Sequence, residues 1–199
     1  MDTFDVLPDA SINSSGVISR NFIRLGVRGF IDACRYVHQL PYGYNSDRDD
    51  LLILFKESKG SCTTKHAVIA SLADELGLPI VKNIGVYGMT EDIVTGTNDI
   101  LNKFNLPYVP MVHCFLVFQD YRVDLTEGND NGKKRPVEQF FHTETVIPNI
   151  SAKDEYLLYR NALKDNILLR EELRSVGVGI KRILQAREEG IKLLRSKIK

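Results

Sequence analysis

The spacing of apolar residues changes several times along the chain, and each change marks an element. From about Ile18 to His38 they fall at Ile23, Val27, Phe30, Cys34 and Val37, alternating gaps of four and three. That period predicts a helix, with Gly26 and Gly29 inside it either splitting it in two or admitting a close neighbour. Before it, residues 1 to about 15 are polar and turn-rich and predict a loop. Leu40 to Asn45 predicts a turn, and Ser46–Asp50 caps a short helix over Leu51–Phe55. Val68, Ile69, Leu72, Ala73 and Leu76 recur at helical spacing after Gly60-Ser61-Cys62, and Gly77 and Pro79 supply stop signals.

The period then shortens. Ile80 to Tyr87 is β-branched and aromatic enough for a strand. Thr97-Asn98-Asp99 predicts the cap of a helix running to Phe104. Met111–Phe118 and Tyr121–Leu125 flank Gln119-Asp120 and predict a hairpin. Gln-Asp is a poor two-residue turn, so a four-residue loop is the competing reading. Glu127–Arg135 is loop, and Val137–Ile147 fits a strand or a helix equally. Ser151 and Asp154 open a helix expected to reach about Arg174. Beyond Gly177 and Gly179, Ile180, Leu184, Arg187, Ile191, Leu194 and Ile198 form a helical seam. The elements together predict an α+β fold: a domain over residues 1–150 and a helical hairpin, residues 151–199, docked on it. The seam closes either within the chain or on a second copy, which would make a homo-oligomer.

Composition adds mostly exclusions. Twenty-six basic residues balance twenty-six acidic ones, so charge nominates no nucleic-acid partner. The basic last twenty residues read as a solvated helix face. No run is long enough to span a membrane, and the acidic start lacks the apolar stretch of a secretory signal. Cys34, Cys62 and Cys114 show no C-x-x-C spacing, which argues against disulfides and zinc knuckles and for a reducing, cytoplasmic setting. Cys34 and Cys114 read as core.

Cys62 is the exception, because it stands in the first turn of its helix. Helix N-termini carry roughly half a positive charge, which favours thiolate over thiol, and Lys59 and Lys65 are expected to add cationic charge nearby. A thiol nucleophile needs a base and a group that orients it. If Phe118 pairs with Tyr121, His113 and Asp124 become diagonal neighbours on one sheet face, about 7–8 Å apart at the backbone. The same spacing also suits a core histidine bonded to a structural aspartate. His66, four residues after Cys62, shares its helix face and competes as the base. Cys62, His66 and His113 with a carboxylate could alternatively bind zinc. His38 reads as a C-terminal cap, and nothing singles out His142.

The ordered set of Gly60-Ser61-Cys62 at a helix start, His113 on a strand and Val123-Asp124-Leu125-Thr126 on the next resembles the transglutaminase-like superfamily, relatives of papain-type thiol hydrolases. The spacing of 51 residues from Cys62 to His113 is similar too. The resemblance covers about Tyr42 to Gly128. It implies a transglutaminase-like, papain-like core with Cys62 as nucleophile, His113 as general base and Asp124 as the orienting acid. It also implies acyl transfer on a peptide or protein amide without a cofactor or metal, hydrolysis being favoured over cross-linking. The Cys62 backbone N–H, with Tyr42, Tyr44 or Asn45, would form the oxyanion site, and His66 would sit behind the triad. Two departures stand out: many members place an aromatic residue shortly after the cysteine and a tryptophan after the histidine, where this chain has Thr63, Thr64, Cys114 and Phe115, and the chain has no tryptophan at all. The rival readings are a binding module that keeps the fold without catalysis, and the zinc protein.

Overall fold

A computed structural model describes residues 4–13 and 16–198. The expected loop at Ser14-Ser15 lies outside the described residues. A four-stranded antiparallel sheet forms the centre: β1 (Ile80–Met89), β2 (Val109–Phe118), β3 (Tyr121–Val123) and β4 (His142–Val146), in the order β3-β2-β1-β4. β1 and β2 pair along their whole length, from Ile80 opposite Phe118 to Met89 opposite Val109. β4 settles the undecided stretch as a strand. Its β-branched Thr143, Thr145 and Val146 favour extended backbone, and its exposed polar face suits a sheet edge.

The hairpin has the register expected, with Phe118 opposite Tyr121 and Leu116 opposite Val123, but its loop has two residues. Gln119 takes φ +53°, supplying the left-handed step that glycine or asparagine more often provides. β3 stops at Val123 rather than Leu125. The Asp124 carboxylate accepts the backbone N–H of Thr126 (2.8 Å), folding the chain away from the ladder in an Asx-type turn.

Eight α-helices surround the sheet among the described residues: α1 (Val17–Arg24), α2 (Phe30–Gln39), α3 (Ile53–Glu57), α4 (Cys62–Leu76), α5 (Thr97–Phe104), α6 (Ala152–Asp165), α7 (Glu171–Arg174) and α8 (Ile180–Lys197). The first helical run is two helices, broken where Gly26 adopts φ +80°. Glu75 of α4 accepts the N–H groups of Ile18 (2.9 Å) and Ser19 (2.7 Å), so α1 is capped from a distant helix. The cap expected at Thr97–Asp99 is supplied instead by Glu91, which accepts the Gly96 and Asn98 N–H groups, while the Thr97 hydroxyl donates to Val94. Ser151 caps α6 as expected. The helix predicted to reach Arg174 ends at Asp165, and a 3₁₀ turn, Ile167–Leu169, precedes α7. That break lets Ile167 and Leu173 both reach the core.

Two apolar clusters hold these parts together. One joins α1, α2 and α4 to Ile80, Leu116, Val123 and Leu125, and takes in Phe4, Leu7 and Ile12 from the N-terminal loop. The other joins the opposite ends of β1 and β2 to α5, α6 and α8. The C-terminal helices therefore share a core with the sheet, and α8 packs on α5 and β2. At Gly190 an added Cβ would lie 2.9 Å from Met89 Cε, so α8 approaches the sheet at a point where a side chain would not fit. Among the described residues no helix is long and apolar enough to cross a membrane.

Candidate active site

Cys62 is the first residue of α4, after Ser61 as N-cap. The Ser61 N–H donates to Thr64 Oγ1 (3.1 Å), and the Thr64 hydroxyl donates to Asn45 Oδ1 (2.8 Å). Residues 41–43 run beside Gly60: Gly60 N–H donates to Pro41 and Gly43 N–H to Gly60, and Tyr42 pairs with Gly60 as a parallel bridge. This strap places Tyr42 next to Cys62.

β3 pairs with β2 only from Leu116 to Phe118, and Cys62 meets β2 at His113 and Cys114, consecutive residues that a strand directs to opposite faces. His113 Nε2 is 2.6 Å from Asp124 Oδ2. Asp124 Oδ1 accepts both the N–H and the hydroxyl of Thr126 at 2.8 Å, so the carboxylate is fixed at both oxygens. His113 Nδ1 is buried and makes no hydrogen bond of ordinary geometry, which leaves the thiol only a loose contact with it. Resting Cys–His pairs tighten such contacts when substrate binds.

The electrostatics follow from these neighbours. The Cys114 thiol, bonding to the Cys62 sulfur, is the largest influence holding the Cys62 thiol well below its usual range; burial opposes it, and His113 and Lys133 reinforce it. Cys114 is pushed up by the same contact and by burial. Burial and Lys133 press the His113 imidazole down, but Asp124 and Cys62 outweigh them and it rises. Burial would raise Asp124, yet His113, His66 and the Thr126 N–H hold it far below the carboxylate range. A thiolate–imidazolium pair with a fixed carboxylate behind it is the state these shifts favour.

Sequence reasoning assigned some parts differently. His66 is fully buried: its Nδ1–H donates to the Cys62 carbonyl (2.6 Å) and its Nε2 accepts the Leu125 N–H (2.9 Å). Burial drives it down to about 4, so it is neutral. With both ring nitrogens taken it is neither a base for Cys62 nor a zinc ligand. No group of three or more potential metal ligands occurs among the described residues. Instead it ties the first turn of α4 to the Asp124 loop.

Lys65 does not face the thiol. Its ammonium is buried against the His38 and Leu40 carbonyls and Asn129 Oδ1, and burial lowers it to about 8. Lys133, from a stretch that reads only as polar loop, is the lysine that strengthens the Cys62 thiolate. Cys114 is buried as expected, but it also touches Cys62, which the alternation rule alone does not reveal.

Of the oxyanion candidates, Asn45 is fully engaged: its amide donates to Glu57 and Lys59, and its oxygen accepts from Thr64. The Tyr44 ring carries the Arg195 guanidinium 4.5 Å from its centroid. Burial and the nearby Cys62 raise the Tyr42 hydroxyl, and a bond from the Cys62 backbone N–H opposes them, which puts that N–H against the hydroxyl oxygen. These groups open onto a cavity of about 290 Å³ whose far wall is α8. Tyr87, Lys133 and the α8 arginines line it without any short-range motif that could have announced them. No family model matches the chain, and no curated protein or solved structure matches it.

Proposed function

We propose that the protein is a cysteine-dependent acyl-transfer enzyme that hydrolyses amide bonds, in the manner of the transglutaminase-like, papain-like thiol hydrolases it resembles. The observation that carries this reading is His113: one ring nitrogen is fixed to Asp124 at 2.6 Å, and the other is buried and unpaired beside the Cys62 thiol. In a purely structural histidine that orphaned nitrogen is an uncompensated cost of about 1–3 kcal/mol. For a binding module nothing offsets it, which favours catalysis over that alternative.

The chemistry runs in two halves. The Cys62 thiolate attacks the amide carbonyl and forms a C–S bond. The oxyanion that develops is met by the Cys62 backbone N–H and the Tyr42 hydroxyl. The His113 imidazolium gives its Nδ1 proton to the amine as the C–N bond breaks, leaving a thioester. His113, now neutral, takes a proton from water, whose oxygen attacks the thioester. The carboxylic acid leaves and the Cys62–His113 ion pair is restored. Asp124 holds the ring and its charge throughout.

Alkylation by iodoacetamide across pH tests this. Cys62 should react far faster than the buried Cys34 and Cys114, with a midpoint well below about 8.5, the value for a free thiol. Asp124→Ala removes a charge-assisted hydrogen bond of about 1.5–3 kcal/mol and should raise that midpoint by about 1–2 pH units. Cys62→Ser should abolish amide hydrolysis. Equal, slow labelling of all three cysteines would exclude the reading.

A further inference from the structure

α8 carries an arginine where its buried seam calls for an apolar residue. Arg187 stands between Leu184 and Ile191 on the face turned to the core, and it is half-buried. Its guanidinium lies 4.7 Å over the centroid of the Tyr159 ring, and Tyr159 is itself fixed by its hydroxyl bond to the Pro110 carbonyl (2.9 Å). Arg187 makes no hydrogen bond or ion pair among the described residues, and its Nε is buried without a partner. A negatively charged acceptor from outside the chain would satisfy that nitrogen and pair the charge.

The cavity beside Cys62 shows where that charge would come from. Four cationic side chains line it: Arg48, Lys133, Arg187 and Arg195. Glu155 is the one carboxylate in the lining, and Arg48 consumes it through two bonds of 2.9 and 2.8 Å. The Cys62 thiolate and Asp124 offset Lys133, and Arg187 and Arg195 are left facing the cavity with no carboxylate to pair with among the described lining residues. Arg187 and Arg195 are eight residues apart, two turns of one helix face, with Arg195 braced on the Tyr44 ring. Both guanidinium planes are therefore pre-oriented by aromatic rings, and such planar forks suit bidentate recognition of a carboxylate. At about 290 Å³ the space suits a small group rather than an extended chain.

We infer that this cavity binds a carboxylate on the acyl substrate of Cys62, held by Arg187 and Arg195 of α8 with Lys133 opposite. The inference rests on Cys62 being the reactive thiol, and it narrows the substrate to amides that carry a carboxylate close to the scissile bond. That carboxylate belongs either to a peptide C-terminus or to an acidic side chain.

Two haloacetates of different charge separate the claims. Iodoacetamide is neutral and reports on the thiolate, whereas iodoacetate brings its own carboxylate. The ratio of iodoacetate to iodoacetamide rates at Cys62 should exceed that of a small free thiol by about tenfold or more at low salt, as cationic clefts concentrate anions by 10–10³. It should fall several-fold in Arg187→Met, where the side-chain stem still covers Tyr159. Lys192→Met removes an exposed charge from the same helix away from the cavity and should leave the ratio unchanged. A ratio equal to that of the free thiol, or an equal fall in both α8 variants, overturns the inference while fast iodoacetamide labelling leaves the thiol reading standing. Slow labelling by both reagents overturns both.

Protection of Cys62 from iodoacetamide then identifies the carboxylate. An acetylated alanine dipeptide with a free C-terminus should protect at a concentration at least fivefold lower than its C-terminal amide. An amidated peptide with an aspartyl residue that protects better than both points to the acidic side chain. Equal protection by all three, or protection by none, overturns the inference.

Discussion

His66 shows how a residue next to the proposed nucleophile can support the site without taking part in its chemistry. Between the Cys62 carbonyl and the Leu125 N–H it must stay neutral, because a second ring proton would displace the Leu125 donor. Folding therefore lowers its ionisation from the ordinary value of about 6.5 to about 4, a difference worth about 3 kcal/mol. The sign follows from linkage. Between those two values the unfolded chain binds the proton and the folded chain does not, so stability falls as pH falls. Glutamine offers a donor and an acceptor without titrating. The stability advantage of the wild type over His66→Gln should be full above pH 6.5 and shrink by about 3 kcal/mol by pH 4. Denaturant unfolding at a series of pH values measures it, and a gap that does not change with pH would refute the neutral bridge.

Elements explain what the residues alone do not. α4 is anchored at both ends by side chains that a helical wheel would send to solvent. Glu75 caps α1, and Lys65 gathers the carbonyls at the end of α2 with Asn129 from the loop after the hairpin. Replacing Lys65 by methionine keeps the stem but takes the donor from Asn129 Oδ1, while the His38 and Leu40 carbonyls keep the Asn129 amide. It should cost about 1–3 kcal/mol, read as a lowered urea midpoint with an unchanged slope. A loss under 1 kcal/mol would mean that water replaces the ammonium freely.

The same scale separates what the sequence made legible from what it hid. Cys62 at a helix start and the His113–Asp124 diagonal follow from local rules, capping and strand register, which act over a few residues. Lys133 and the α8 arginines come from segments that reach Cys62 only through tertiary packing, and no local period encodes that meeting. Lys65 departs from expectation for the same reason. Proximity in sequence suggests a place near the thiol, but its place on the α4 turn aims it at α2. Tyr42 falls between the two cases: it is close in sequence, yet only the bridge to Gly60 brings it alongside Cys62.

At the scale of the whole molecule, the cavity depends on how closely α8 lies against β1 and β2. Gly190 makes the contact, with Met89 Cε and Met111 Sδ 2.9 and 3.1 Å from where a Cβ would be. Gly190→Val should push α8 outward and lower the melting temperature by several degrees. Because the arginines ride on α8 whereas Cys62 and His113 do not, it should also reduce the iodoacetate preference more than the iodoacetamide rate. An equal loss of both would show that the triad itself leans on α8.

The position of that helix in the chain has a consequence for synthesis. α8 begins 56 residues after Asp124. At about 5–20 residues per second, a ribosome has exposed Cys62, His113 and Asp124 for several seconds before it finishes the wall that bears Arg187 and Arg195. During that interval a nascent chain holds every member of the triad but lacks the arginines that would select its substrate. On the proposed reading, reactivity and selectivity would thus be separated in time, because α8 is made after the residues whose reach it would restrict.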